Sequence, residues 1–289
     1  MIYTIKNDRL TVKISDYAAE IRSVTGNGCE YIWQPEEGHW QRQAPWLFPI
    51  CGGLTEGRYV YRGKTYEMQK HGFARTSLFT LDGATDAAVT MTLTDSAETL
   101  AVYPFAFRLT VTYALSDDRL LCTVRIANPG TDELIAGIGA HPGFRVPLSG
   151  DGRFDDWTLV FANECSPGEM TLSDDHLWSG ESRPFPLEGG KSLPLTRDLF
   201  SLDARFLFGA GDTVTLRSDR SPRSVTVRYA GFPYVGFWSE PTDVGFLCIE
   251  PWQGLPAVSG VIDDLETKRD LFHIAPGKER TVALEMQFQ

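Results

Sequence analysis

The sequence predicts an all-β chain, a large antiparallel β-sandwich, on three observations. Apolar and polar residues alternate with period two along much of its length. Turn-forming residues separate the alternating runs, and no long segment carries a helical stripe of apolar residues. Strands place successive side chains on opposite faces, so this alternation marks sheets with one buried face. Many short strands at close spacing point to a sandwich.

The runs come in order along the chain. Residues 89–94 and 109–113 alternate apolar residues with threonine, and residues 121–126 do so more loosely. Residues 213–217, 224–229 and 281–286 repeat the pattern, with the β-branched and aromatic content that strands favour. Between runs lie Gly26-Asn27-Gly28, Ser116-Asp117-Asp118, Asn128-Pro129-Gly130, Ser149-Gly150-Asp151-Gly152, Ala210-Gly211-Asp212 and Pro276-Gly277, all turn formers. Residues 195–208 leave room for a short helical turn. The Ser/Pro/Gly-rich stretch 165–194 reads as a long irregular connection. Strands of one character flank it, so residues 1–289 are expected to form a single domain.

Composition narrows the function. With 289 residues, 42% hydrophobic and 22% charged, the chain is ordinary for a soluble globular protein. Its formal net charge of −11 argues against nucleic acid, which attracts Lys/Arg-rich surfaces. Cys29, Cys51, Cys122, Cys165 and Cys248 are odd in number and scattered, so neither a disulfide framework nor a zinc site is expected. The N-terminus lacks a basic region followed by an apolar run, and no apolar stretch approaches the ~20 residues of a membrane helix. The expectation is a cytoplasmic protein without a membrane partner, monomeric or homodimeric, acting on a small molecule.

Three motifs offer chemistry: Lys70-His71-Gly72-Phe73-Ala74-Arg75, Gly139-Ala140-His141-Pro142-Gly143-Phe144 and Ile249-Glu250-Pro251-Trp252. Imidazoles titrate near neutrality, and a carboxylate can take a proton at one atom while an imidazole gives one at another. Opening a sugar hemiacetal needs that combination. Glu250 shares a strand face with Phe246 and Cys248, and Pro251 is expected to end the strand there. Desolvation would raise its pKa, as suits a base. The local sequence by itself favours a strand-end glutamate in solvent or in an ion pair. His141 shares a face with Ile135, Gly137 and Gly139. The glycines either open a strip for a ligand or make room for a bulky neighbour. Arg75 offers a planar fork of donors. Trp40, Trp46, Phe48, Phe73, Phe144, Trp238 and Trp252 fall near turns or motifs, where they either carry a sugar face or fill the core. His39, His176 and His273 have no comparable setting. No His-x-His or His-Glu-x-x-His spacing supports a metal, and neither a phosphate loop nor a Gly-x-Ser-x-Gly elbow is present.

Taken together, the motifs resemble the aldose 1-epimerase (galactose mutarotase-like) family, in particular its shorter bacterial branch. The resemblance runs nearly end to end. It includes Leu47-Phe48-Pro49-Ile50-Cys51-Gly52, residues 70–75, Tyr103-Pro104-Phe105-Ala106-Phe107-Arg108-Leu109 and residues 139–144. It continues through Leu202-Asp203-Ala204, Cys248-Ile249-Glu250-Pro251-Trp252, Glu266-Thr267-Lys268 and Ala275-Pro276-Gly277. It implies a β-supersandwich and a cofactor-free, metal-free isomerase that interconverts the α and β anomers of a hexose or related sugar. By this resemblance Glu250 is the catalytic base, His141 the acid and His71 the second active-site histidine. Asp203, Arg75, Trp252 and Phe144 would contact substrate. One position departs from the pattern. Gly53 stands where related proteins often place an arginine, so either Arg75 or Arg58 supplies the guanidinium or the substrate differs.

Three rivals stand beside this reading. A sugar-binding or sugar-sensing module would not need both His141 and Glu250. An epimerase for a sugar phosphate or acidic sugar would need cations at the site, for which Arg58, Arg62 and Arg75 are candidates. A glycoside hydrolase would pair Glu250 with Asp203, leaving the histidines unexplained.

Overall fold

The structure is a computed structural model and describes residues 1–148, 150 and 152–289. Of the expected turn at 149–152, Ser149 and Asp151 lie outside the described residues. Among the described residues two large antiparallel sheets dominate. One has nine strands in the order Ser192–Pro194, Thr158–Phe161, Thr213–Arg217, Ser224–Arg228, Glu279–Phe288, Arg119–Ala127, Arg108–Ser116, Ala88–Thr94 and Thr80–Ala84. All six alternating runs of the sequence are neighbours here. Their buried positions hold apolar residues, and their outer positions carry threonine ladders. Thr90 meets Thr112 at 3.0 Å, Thr92 meets Thr110 at 3.0 Å and Thr215 meets Thr226 at 2.9 Å through their hydroxyls.

The second sheet has eight strands. Seven run in the order Trp178–Pro184, Gly168–Leu172, Arg205–Phe208, Tyr234–Trp238, Phe246–Gln253, Ile138–Ala140 and Trp46–Leu47, and Gly143–Arg145 also pairs with Phe246–Gln253. The inner faces of the two sheets meet. Trp46 donates its indole N–H to the Tyr113 hydroxyl at 2.6 Å, and Phe161 packs edge-on against Phe237. In the central strand every residue from Phe246 to Trp252 is buried. Leu247 and Ile249 join the main core, while Phe246, Cys248 and Trp252 pack into separate clusters on the other face.

One expectation about the elements is corrected. Residues 165–194 are not an irregular connection: Gly168–Leu172 pairs with Trp178–Pro184, and Ser192–Pro194 closes the edge of the nine-stranded sheet. The chain also has a helix, Ala97–Val102, started by reciprocal bonds between Ser96 and Thr99. At six residues it is too short to show a stripe. Residues 195–208 do hold a helical turn, at Arg197–Phe200. No helix of the described residues is long and apolar enough to cross a membrane.

Candidate active site

His71, His141, Glu250, Asp203, Arg75 and Trp252 line one cavity of about 310 Å³ beside the eight-stranded sheet, and Trp40, Trp238, Lys70 and His176 line it with them. That volume is at the small end of ligand sites.

His71 is held by a two-way clasp to Gly52. Its N–H donates to the Gly52 carbonyl at 2.8 Å, and the Gly52 N–H donates back to His71 Nδ1 at 3.0 Å. The neutral ring therefore keeps its hydrogen on Nε2. His71 has φ 68, a left-handed conformation uncommon outside glycine. At Gly72, also left-handed, a Cβ would lie 2.2 Å from the Phe48 carbonyl oxygen. That oxygen accepts the N–H groups of Phe73 and Ala74 at 2.9 and 3.2 Å. The His-Gly pair thus follows from the close approach of the 48–52 segment.

His141 follows a run that breaks at Gly137 into Leu134–Ala136 and Ile138–Ala140. The glycines do not open a ligand strip. A Cβ at Gly139 would lie 2.7 Å from Trp252 Cδ1, and one at Gly137 would lie 2.7 Å from the Gln253 carbonyl oxygen. They make room for the indole and the neighbouring strand, the second of the two readings. Trp40 stacks on the His141 ring at 4.9 Å, and Trp238 meets its edge at 5.8 Å.

Glu250 does not end its strand, which continues to Gln253. Pro251 sits where the neighbouring edge passes from Gly143–Arg145 to Ile138–Ala140, so its missing donor breaks no ladder bond. Across from Glu250 lies Gly236, where a Cβ would come within 2.6 Å of the Phe206 ring. Phe206 packs on Trp252 at 4.3 Å, completing an apolar wall. Glu250 is 1% exposed, with Oε2 3.2 Å from His141 Nε2. His71 stands perpendicular to His141 at 5.8 Å.

Burial sets the proton balance. It pushes the Glu250 carboxyl well above its usual range, and Asp203 adds to the rise, while Lys70 and the Trp252 indole oppose it. Burial holds His141 down to about 3, with Lys70 and Arg75 adding to the fall against a main-chain contact that raises it. Burial likewise drives His71 well below 6.5, helped by His141, Lys70 and Arg75. Burial thus favours the proton on Glu250 and a neutral ring at His141, in a dry setting.

Asp203 pairs with a residue that no sequence motif singles out. His176 Nδ1 lies 2.8 Å from Asp203 Oδ2. Both have left-handed backbones, φ 59 and φ 83, and such strain gathers at functional sites. His176 lies in an ordinary polar turn, and its partner belongs to a distant segment, so no local pattern marks it. Lys70, next to His71 in the same motif, also lines the cavity. Phe144 does not reach the cavity and is corrected to a core residue. It is opposite Leu247, so both point into the main core, and its exposure is 0%. Trp46, Phe48 and Phe73 are likewise core. Arg58 and Arg62 are not at the cavity and pair with Glu56 and Asp132, so Arg75 is the arginine that lines it.

His141, Cys248 and Glu250 place one ligand atom each within 4.8 Å of one another, a set that suits a soft divalent cation. Burial favours the protonated thiol and carboxyl there, so a cation would have to displace both protons.

Fold and cavity together define an antiparallel sandwich in which imidazoles and carboxyls meet beside one sheet. The chain belongs to the aldose 1-epimerase family, whose family model matches residues 1–264. Protein LacX of Lactococcus lactis subsp. lactis, in its plasmid form, is 33% identical over 286 residues, covering 96% of this chain and 95% of LacX. A galactose mutarotase related enzyme from Lactobacillus acidophilus is 35% identical with TM-score 0.94, covering 100% of this chain and 97% of that one. A galactose mutarotase-like protein from Lactobacillus casei is 32% identical with TM-score 0.93, covering 100% of both chains.

Proposed function

We propose that this chain interconverts the anomers of an aldose, with Glu250 and His141 exchanging the protons and His71 supporting the ring oxygen. The observation that carries the reading is the 3.2 Å contact between His141 Nε2 and Glu250 Oε2 inside a cavity that His71 also lines.

Without substrate, burial favours the proton on Glu250 and a neutral His141. Sugar hydroxyls entering between them solvate both groups, and the proton passes to His141. Glu250 then takes the hydrogen of the anomeric hydroxyl as His141 gives one to the ring oxygen O5. The C1–O5 bond breaks, C1 becomes an aldehyde, and rotation about C1–C2 presents its other face. Closure with reversed transfers yields the other anomer. The pair ends with the one proton it began with. His71, neutral with its hydrogen on Nε2, donates to O5 and helps charge develop there. Asp203, Arg75 and Trp252 hold the sugar. No electron is transferred, so the chemistry asks for no redox cofactor.

The same reading places residues 1–289 in one domain, supported by a buried cluster that draws residues from Ile5 through to Phe288. It places the protein in the cytoplasm, supported by five cysteines that are all free. The test is anomer exchange of an aldose followed by NMR at low buffer concentration, with wild type against His141→Asn. The expected loss is about a hundredfold or more. A wild type that binds an aldose but leaves its anomerisation at the spontaneous rate would make the protein a sugar sensor instead.

A further inference from the structure

Trp40 reaches the cavity from a stretch of chain with no regular structure of its own. Residues 33–45 form no helix or strand, so their backbone groups depend on other partners. Yet Trp40 is closely packed. It stacks on the His141 ring at 4.9 Å, stands edge-on to Trp238 at 5.6 Å and is tilted on Phe246 at 5.4 Å. Gly143, two residues beyond His141, leaves the room for it: a Cβ there would lie 2.6 Å from Trp40 Cζ3.

Both backbone groups of Trp40 are held. Its N–H donates to Glu240 Oε1 at 2.7 Å, and its carbonyl accepts the Trp33 indole N–H at 2.9 Å. The other Glu240 oxygen, Oε2, lies 2.7 Å from His39 Nδ1. An ionised carboxyl only accepts, so Nδ1 is the donor. Glu240 therefore spends both oxygens on the dipeptide His39-Trp40, with no lysine or arginine partner among the described residues. Glu20 holds the other end of the same segment at the Gln43 and Ala44 N–H groups, but with Arg22 and Arg42 beside it. Glu240 is also tied to the site through its own chain. The strand Tyr234–Trp238 places Gly236 across from Glu250 and ends on Trp238, which stands edge-on to His141, and Glu240 follows two residues later.

Resting on the epimerase reading, we propose that Glu240 and His39 are positioning residues for the proton transfer, a latch that holds Trp40 flat on His141 so that the ring keeps one orientation and stays dry. Neither residue lines the cavity. The indole face takes the place of solvent on one side of the imidazole, and an acid fixed by packing meets the ring oxygen in one geometry. Without the latch, Trp40 swings away and water reaches the ring. The effect falls on the chemical step more than on binding, which Asp203, Arg75 and Trp252 carry.

The experiment uses the full-length protein, with NMR anomer exchange of D-galactose and D-glucose and the NMR signals of the His141 ring, assigned with His141→Asn. Glu240→Ala should lower kcat about tenfold or more, with KM within about twofold of wild type. Glu240→Gln keeps an oxygen for the Trp40 N–H and should stay within about threefold of wild type. His39→Ala removes one bond of the latch and should cost about threefold. In the sugar-free protein the stacked indole shifts the His141 ring protons upfield. Glu240→Ala and Trp40→Leu should both lose that shift, and Glu240→Gln should keep it. The His39 and Glu240 side chains are 28% and 21% exposed, so neither substitution empties the core. A wild type without anomer exchange, in which Glu240→Ala still releases the His141 signals, would keep the latch and overturn the epimerase reading. Unchanged His141 signals in Glu240→Ala, whatever its stability in urea, would overturn the latch. So would a rise in KM alone, which would make Trp40 a platform for the sugar. Equal losses in Glu240→Ala and Glu240→Gln would overturn it too, by assigning the effect to the charge rather than to the bonds.

Discussion

Glu20, Glu169 and Glu250 are 0%, 2% and 1% exposed, yet their surroundings differ in kind. Glu20 accepts from Arg22 Nη1 at 2.9 Å and from the N–H groups of Gln43 and Ala44 at 2.7 and 3.1 Å, with Arg42 3.6 Å away. Glu169 lies between Arg183 Nε at 2.7 Å and Arg205 Nη1 at 3.0 Å, tying its strand to both neighbours. Glu250 makes no ion pair with lysine or arginine among the described residues and faces an imidazole instead. Burial alone therefore does not mark a reacting group. A buried carboxylate with two guanidinium partners joins segments together. One without them holds a proton that it can exchange.

The contrast is broken most severely by removing a structural acid. Glu20→Ala would leave the Gln43 and Ala44 donors and Arg42 without their acceptor, and should cost about 3 kcal/mol or more of stability. Urea denaturation would show it, and a midpoint unchanged from wild type would deny Glu20 this role. Glu250→Gln should do the reverse. Its shape is kept and no ion pair with a guanidinium is lost, so stability should change little. Anomerisation should fall about a hundredfold or more. Equal activity would keep the family assignment and overturn Glu250 as the base.

The pH profile sharpens the comparison further. His141 is held down to about 3 from 6.5, so its ring does not gain a second proton for the pair as pH falls through 6.5. Activity should persist there and be lost only toward about 3. Glu250 is raised, so the alkaline loss comes as the pair gives up its single proton, well above 4.5. An acid limb centred near 6.5 would contradict this. The smallest effect is expected for His176→Ala. Its pair with Asp203 is largely exposed on the histidine side, so KM should rise only about twofold to fivefold, by more than kcat changes. A change in kcat alone would remove His176 from substrate positioning.

The two sheets also differ in how far they could be read from sequence. The six alternating runs all belong to the nine-stranded sheet, whose strands show one face to the core and the other to water. The site lies on the eight-stranded sheet, where Phe246 to Trp252 are buried on both faces and alternation is lost. There the motifs had to carry the reading. They brought His71, His141, Glu250, Asp203, Arg75 and Trp252 to one cavity, but motif adjacency also drew in Phe144. Its register opposite Leu247 turns it to the core, which no local pattern shows. His176 escaped because its meaning depends on Asp203, a contact made only once the hairpin of residues 168–184 has formed.

The claim that most needs a direct measurement is the single shared proton on a carboxyl without a cation. Carbon-13 labelling of glutamate side chains, with Glu250→Gln to assign the resonance, gives the ionisation state of Glu250 by NMR across pH. Nitrogen-15 labelling gives that of His141. The expected result is a Glu250 carboxyl that stays protonated well above 4.5, beside a His141 ring that remains neutral through 6.5 in the sugar-free protein. A Glu250 that ionises near 4.5, or a His141 that gains its proton near 6.5, would contradict the account.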